Sequence, residues 1–321
     1  MQHTRLLSGL SNLKVGSFRL RIKLHKTPIV GRPIANLSNS WLAPAAEILC
    51  SALQPVERSL PCVLAGSAAF LDAVPKHISL SSQIVTVDAV NLYPSIDELD
   101  MIRVVSAQIR RFYRHSPRLS DFYVRILEFV VSNQYIRARG SFWQAHGIAT
   151  GLSPGVFLAN IYVADLDSEV RHLPGVLYYG RYVDDTLIIL EDLPSVLKVM
   201  RAWKPKSIRW EVAHHSSLNS GTTPFLDLQL QNVAGHLEWS LYEKPQNAYL
   251  YLPRTSCHPE QCFRSLVHGE FARLRRNSLH ESDFNSAFSR FSRRLMARGY
   301  STEEIERSRL HAQRLVERKP F

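Results

Sequence analysis

The four residues Tyr182-Val183-Asp184-Asp185 constrain the fold of this chain more than any other part of its sequence. The residues on either side, 176–179 and 186–190, are apolar and β-branched, and this pattern predicts two short strands joined at the acidic pair. Carboxylates in apolar surroundings are costly unless cations or hydrogen bonds compensate their charge. A divalent metal is the simplest compensation, and an ordinary solvated turn is the alternative.

A second apolar run, residues 84–87, ends directly in an acid, Asp88, and Tyr93 follows five residues later. Two strands that each deliver a carboxylate can form one site. Mg²⁺ prefers oxygen ligands, keeps several waters and is held by a few carboxylates together with substrate phosphates. The sequence therefore predicts a site for Mg²⁺, with Mn²⁺ as a substitute, whose remaining ligands come from a nucleotide.

These residues resemble the palm motifs of reverse transcriptases. Asp88 with Tyr93 is similar to motif A of that family, and residues 182–185 are similar to motif C. A third set falls at the spacing of motif B, a glycine-bearing turn that leads into a helix: Gln144, Gly147, Ala149, Gly151, Leu158, Ala159 and Asn160.

The wider pattern is most similar to Penelope-like reverse transcriptases. The matching segments follow the order of that family and lie at residues 23–26, 32–34, 224–228, 242–245, 249–250, 258–259 and 298–305. No Gly-Ile-Tyr signature follows residue 300, so the resemblance does not include the GIY-YIG endonuclease that many Penelope-like elements carry.

The resemblance implies an α+β fold, a right-hand polymerase with an antiparallel palm sheet backed by helices, partial fingers and a helical thumb. The expected division of the chain is a basic irregular N-terminus at 1–17, partial fingers at 18–82, the palm at 83–235, a primer-grip-like hairpin and connector at 236–260, and a basic helical thumb-like region at 261–321.

The resemblance also implies an activity, RNA-directed DNA synthesis by a retroelement enzyme that uses two metal ions. Asp88, Asp184 and Asp185 are the expected catalytic metal ligands. The expected nucleotide-binding residues are Lys23, Lys26, Arg32, Tyr93, Gln144 and Gly151, and Tyr93 is the expected sugar gate that selects deoxynucleotides. From the pattern alone, Arg32 also fits a solvated basic strand and Tyr93 fits a helix start.

Charge agrees with a nucleic-acid partner. The net charge is +11 and the isoelectric point is about 9.7, which favours contacts to phosphates and the release of counterions. The expected partners are an RNA template, an RNA/DNA or DNA primer duplex, and dNTPs. Apolar stretches such as 122–131 are interrupted by charges, so we expect a soluble intracellular protein, nuclear if eukaryotic and otherwise cytoplasmic.

Periodicity predicts the remaining elements. Residues 18–24 alternate between apolar and basic, which is typical of a half-exposed strand, and residues 41–75 are predicted to be helical with a break near Pro55 and Pro61. Residues 225–230 alternate as a strand that contains Asp227. From residue 261 onward the sequence is helical and strongly basic. Its arginines either are simply solvated, as most such residues are, or grip a duplex, as the thumb of a polymerase must: Arg273, Arg275, Arg276, Arg290, Arg293 and Arg294.

Two other classes of protein remain open at this stage. A catalytically decayed retroelement product would bind RNA or DNA without extending a primer. A host-adopted accessory protein would keep the palm as an RNA-binding scaffold. Primer extension on an RNA template separates both from an active polymerase.

Overall fold

The computed structural model describes residues 14–23, 30–192, 208–216, 221–245 and 247–318. The helices are α1 (Ala43–Arg58), α2 (Ser67–Ala73), α3 (Leu92–Ser95), α4 (Glu98–Phe112), α5 (Pro117–Ser132), α6 (Gly155–Arg171), α7 (Glu260–Arg276), α8 (Glu281–Met296) and α9 (Thr302–Arg318). The strands are β1 (Gly16–Lys23), β2 (Val30–Asn36), β3 (Gln83–Val90), β4 (Tyr135–Ala138), β5 (Ser141–Gln144), β6 (Val176–Tyr182), β7 (Asp185–Leu190), β8 (Arg209–His215), β9 (Thr222–Phe225), β10 (Leu228–Val233) and β11 (His236–Leu241).

The strands form three sheets, with the orders β2-β1-β4-β5, β6-β7-β3-β8 and β11-β10-β9. Neighbours in sequence pair antiparallel in β1–β2, β4–β5, β6–β7, β9–β10 and β10–β11, while β1 and β4 pair in parallel over two residue pairs. The predicted α+β class with antiparallel sheets is therefore confirmed.

Contacts divide the described residues into two compact units, one made of those within 14–64 and 87–213 and one made of those within 65–86 and 214–318. This division follows packing, and the five-part functional division predicted from the sequence stays a prediction. Residues 16 and 17, expected to be irregular, already belong to β1.

In the first unit, helices α1, α4, α5 and α6 supply most of the core. Asp97 is the N-cap that precedes helix α4, and its carboxylate accepts a hydrogen bond from the Asp100 amide at 2.8 Å. Helix α6 buries residues on nearly every face, including the polar Asn160 and Asp167. Such a helix lies inside a core, and its buried polar groups need partners.

The predicted break near Pro55 is wrong, because Pro55 lies within α1, which continues to Arg58. The missing amide of a proline costs one helical hydrogen bond. Burial of Ala52, Leu53 and Val56 in the same turns stabilises the helix and offsets this loss.

In the second unit, helices α7, α8 and α9 share an aromatic core. Phe271, Phe284, Phe288 and Phe291 are buried there, and the rings of Phe271 and Phe284 meet edge to face with centroids 5.3 Å apart. This geometry is favourable for aromatic pairs.

The predicted strand over residues 225–230 is wrong, because the chain turns at Leu226 and Asp227 between β9 and β10. Leu226 has a φ of 55°, which ends regular pairing. Asp227 accepts hydrogen bonds from Arg273 Nη1 at 2.9 Å and Asn277 Nδ2 at 2.8 Å, so its role is structural.

Most of the arginines expected to grip a duplex are paired with acids inside this unit. Arg273 contacts Glu270 and Asp227, Arg275 contacts Glu281, and Arg290 and Arg294 both contact Glu243. These four side chains stabilise the packing of the unit, which leaves less unpaired positive charge than the sequence suggested. No described helix is long and apolar enough to cross a membrane.

Candidate active site

The acidic turn is a two-residue loop at the end of the β6–β7 hairpin. Tyr182 pairs with Asp185, so Val183 and Asp184 alone connect the strands. Val183 has a φ of 57°, a left-handed conformation that is strained for a β-branched residue. Such strain costs about 1–3 kcal/mol and persists only where the surroundings hold it.

The strand that carries Asp88 lies beside this turn. The amide of Ala89 donates to the carbonyl of Asp184 at 3.1 Å, and β3 neighbours β7 in the sheet. Asp88 is exposed between the buried Val87 and Ala89, Asp184 is half-buried and Asp185 is exposed. The backbones of the three predicted acids are thus brought together at one edge of the hairpin.

These acids fit Mg²⁺ by the chemistry of their donor set. In the described residues no three His, Cys, Asp or Glu side chains form a ready-made group that could hold a metal ion. Mg²⁺ does not require such a group, because it binds through one or two carboxylates, waters and substrate phosphates rather than in an all-protein cage. Asp88, on β3, and Asp184, in the adjoining β6–β7 turn, are the carboxylates that would hold it, with Asp185 beside them.

Tyr93, in the short helix α3, lies within the electrostatic reach of this turn and of Arg32. Burial raises the pKa of the Tyr93 hydroxyl, the charge of Asp184 raises it further, and Arg32 partly lowers it. The hydroxyl therefore stays protonated at neutral pH. Tyr93 is thus near both Asp184 and Arg32, and Arg32 itself is exposed on β2.

The glycine-bearing loop between β5 and α6 is packed against both Tyr93 and β2. A Cβ on Gly147 would lie 2.4 Å from the Tyr93 carbonyl oxygen, and a Cβ on Gly151 would lie 2.3 Å from the Ala35 carbonyl oxygen. Gly151 also forms a β-bridge with Asn36. The predicted Gly151 thus has a backbone role, and its close contact is with protein.

Gln134 also holds this loop through hydrogen bonds, and the sequence patterns did not single it out. Its fully buried amide donates to the Gly147 carbonyl at 2.9 Å and to the Val131 carbonyl at 3.1 Å, and it accepts from the Ala149 amide at 2.8 Å. A buried glutamine is stable only when it is satisfied in this way.

The remaining predicted nucleotide-binding residues lie at the ends of strands or outside the described chain. Gln144 ends β5 with an exposed side chain, whose amide donates to the Ser132 carbonyl at 3.1 Å. Lys23 is the last residue of β1, and only its backbone is described. Lys26 lies outside the described residues.

Arg181 is completely buried in β6, two residues before the strained Val183. It forms an ion pair with Asp167 at 2.6 Å, contacts Asn160, and donates to the Val183 carbonyl at 2.9 Å. Burial alone would lower the pKa of Arg181, but the Asp167 carboxylate raises it above its usual value. A charged residue in an otherwise apolar strand was the available sequence signal.

One face of the β2-β1-β4-β5 sheet is basic and aromatic. Arg21 is paired directly with Arg32, Ser17 with Arg137, and Arg137 with Phe142, and directly paired residues share a face. Alternation places further members on this face: Arg19, Ile34, Asn36, Tyr135 and Gln144. The sequences of the four strands contain no Asp or Glu.

Similarity to known proteins is strongest in the fold. A family model described as an animal helix-turn-helix domain matches residues 250–310, which contain α7, α8 and the start of α9. No curated protein matches the sequence. Telomerase from Candida albicans in complex with a TWJ fragment of telomeric RNA matches with a TM-score of 0.58 and 12% identity, over 95% of this chain and 61% of that chain.

Telomerase from Candida tropicalis in complex with a TWJ fragment matches with a TM-score of 0.54 and 11% identity, over 95% of this chain and 53% of that chain. Its apo form matches with a TM-score of 0.54 and 10% identity, over 81% and 52%. The chain thus spans less than two thirds of the telomerase chains that it matches. At these identities the likeness is one of fold alone, which the chain shares with these telomerase chains.

Proposed function

We propose that this chain is an RNA-directed DNA polymerase of retroelement type, similar to the Penelope-like group, which transfers nucleotides from dNTPs to a primer 3′-hydroxyl. The observation that carries the proposal is the hydrogen bond between the Ala89 amide and the Asp184 carbonyl, because it places the Asp88 strand against the acidic turn. The polymerase fold supports it independently.

Different residues of the site have different roles in this reaction. Asp88 and Asp184, with Asp185 in support, would hold the metal ions, which would supply neutralisation of phosphate charge and activation of the primer hydroxyl. Arg32, exposed beside Tyr93, contacts the triphosphate of the incoming nucleotide. The glycine loop holds Tyr93 in place, since the Ile148 amide donates to the Tyr93 carbonyl at 2.9 Å.

The test of this function is primer extension on an RNA template with dNTPs and Mg²⁺. We expect extension that requires the metal and an annealed primer. Binding of RNA that weakens with salt, in the absence of any extension, contradicts the proposal and favours the decayed or host-adopted alternatives.

Replacing Tyr93 with alanine should relax the choice of sugar. The ring, which lies within the electrostatic reach of Asp184 and 3.8 Å from the position that a Cβ on Gly155 would take, is the wall that a 2′-hydroxyl would meet. We expect the preference for dNTPs over rNTPs to fall about 10- to 200-fold, the range for loss of steric selection in a pocket. Competitive incorporation measures the ratio. Tyr93→Phe keeps the ring and should keep the preference, and equal behaviour of the two variants would exclude the gate.

The basic and aromatic face of the β2-β1-β4-β5 sheet has the chemistry for single-stranded template. Arginines supply phosphate contacts, while exposed rings such as Phe142 supply stacking for bases. Neutralising Arg19 and Arg21 together should reduce the salt slope of binding to an RNA strand by about 1.4, since each phosphate contact contributes roughly 0.7 for single strands.

Phe142→Ala should instead weaken binding by about 1–3 kcal/mol without changing the salt slope, because stacking releases no counterions. Titrations at several salt concentrations separate the two effects. Arg125→Gln, on helix α5 rather than on the sheet, is the matched loss of one exposed charge. If Arg125→Gln lowers the salt slope as much per charge removed as the Arg19 and Arg21 substitutions do, the slope depends on net charge and not on this face of the sheet.

A further inference from the structure

We propose that Arg181 is a positioning residue that fixes the backbone of Val183 and thereby the direction in which Asp184 leaves the hairpin. The inference deepens the proposed function, on which its link to catalysis rests. The claim that Arg181 holds the backbone of the β6–β7 turn does not depend on that activity.

The guanidinium of Arg181 uses all five of its N–H groups. Nε and Nη2 donate to the Asp167 carboxylate, Nη2 also donates to the Asn160 carbonyl at 3.0 Å, and Nη1 donates to Asn160 Oδ1 at 2.7 Å and to the Val183 carbonyl at 2.9 Å. Four of these five bonds go to helix α6 and the fifth goes to the turn. The side chain therefore ties the turn to a helix that is buried on nearly every face.

The backbone of Arg181 is held on its other side. Its amide donates to the Cys62 carbonyl at 2.8 Å, and its carbonyl accepts from the Leu64 amide at 2.8 Å. Because both the backbone and the head group are fixed, the distance from β6 to the Val183 carbonyl is fixed as well. This is the support that a valine at a φ of 57° requires.

The helix side of the network is braced by further groups. Tyr179 donates to Asp167 Oδ1 at 2.7 Å, and Asn160 Nδ2 donates to Glu57 at 2.5 Å. Asp167 and Asn160 are seven residues apart on α6, so they present their side chains on one face of the helix. A lysine at position 181 would keep the charge, but its single ammonium group cannot reach all the partners that the planar guanidinium group of Arg181 reaches.

Arg181→Lys is the first variant, and two measurements follow it. Hydrogen exchange reports the Ala89 amide, which is bonded to the Asp184 carbonyl, and primer extension reports the Mg²⁺ concentration for half-maximal rate. We expect exchange at Ala89 to become about tenfold faster through local opening of the turn. We expect the half-saturating Mg²⁺ concentration to rise about tenfold, while kcat at saturating metal changes less.

Rescue by a second substitution distinguishes positioning from a general loss of stability. Asn tolerates a positive φ better than valine does, so Val183→Asn should restore part of both properties in the Arg181→Lys protein. Asn160→Leu, which removes one of the five bonds and the bond to Glu57 but leaves the ion pair, should shift both measurements in the same direction by a smaller amount. Tyr162→Phe removes a 2.8 Å bond from the same helix to Asp100 and should change neither.

Faster exchange that spreads evenly over the core amides of the first unit, without rescue by Val183→Asn, would overturn the inference. If the parent protein extends no primer, the exchange measurement and its rescue still decide the positioning role, and only the proposed polymerase activity fails.

Discussion

Replacing Asp184 with asparagine is expected to abolish primer extension, with a loss of at least about 10³-fold. A bound metal stabilises transition-state charge by several kcal/mol, and each 1.36 kcal/mol corresponds to a factor of ten, so loss of about 4 kcal/mol gives this factor. Asp184 is the half-buried acid of the turn, and its carbonyl is bonded to the Asp88 strand. Single-turnover extension on an RNA template measures the loss.

Asp121→Asn is the matched control for this prediction. Asp121 is an exposed residue of α5 with a 3.9 Å ion pair to Arg110, so its substitution makes the same change of charge on the surface of the same unit. We expect full activity from it, and RNA binding by both variants at least as tight as in the parent. Equal activity of the two variants would remove Asp184 from the catalytic site.

Replacing Gly147 with alanine is expected to destabilise the first unit by about 3–4 kcal/mol. A left-handed φ, here 68°, costs roughly 1–2 kcal/mol for a residue with a Cβ. The new Cβ would also lie 2.4 Å from the Tyr93 carbonyl oxygen and 2.9 Å from the Pro94 Cα, which are backbone atoms that cannot move without displacing helix α3. Denaturation in urea measures the change.

Gly140→Ala separates the two contributions. Gly140 has a φ of 81° in the β4–β5 turn, and no described atom lies within 4 Å of the position that its Cβ would take, so only the conformational cost applies. We expect a loss of about 1–2 kcal/mol from it. If the two variants lose equal stability, the glycine loop is not packed against Tyr93 as the structure describes.

The acidic hairpin and its neighbouring strand could be predicted because both signals are local. Residues 176–190 contain two apolar runs around a polar pair, and the run at 84–87 ends in an acid, so strand ends and carboxylates coincide in the sequence itself. The resemblance then related Asp88 to Asp184 across 96 positions. Both acids do lie on adjoining backbone segments.

The parts that could not be predicted depend on contacts between distant residues. Nothing near Arg181 indicates that Asp167, on a helix, is its partner, and nothing near Gln134 indicates the loop at Gly147. The run at 225–230 alternates like a strand, but the left-handed Leu226 interrupts it. Likewise, the sequence shows the arginines of α7 and α8 without showing that acids such as Glu243 neutralise them.

The direct pairing of Arg21 with Arg32 has a consequence for the free protein. Two like charges opposite each other on a sheet repel, and the four strands supply no carboxylate to compensate them. Simple salt screens that repulsion in the free protein, even though it weakens attraction for a phosphate chain. The pairing of strands β1 and β2 should therefore be most stable either in concentrated electrolyte or with a polyanion bound across the two strands. It should be least stable in dilute electrolyte without a polyanion.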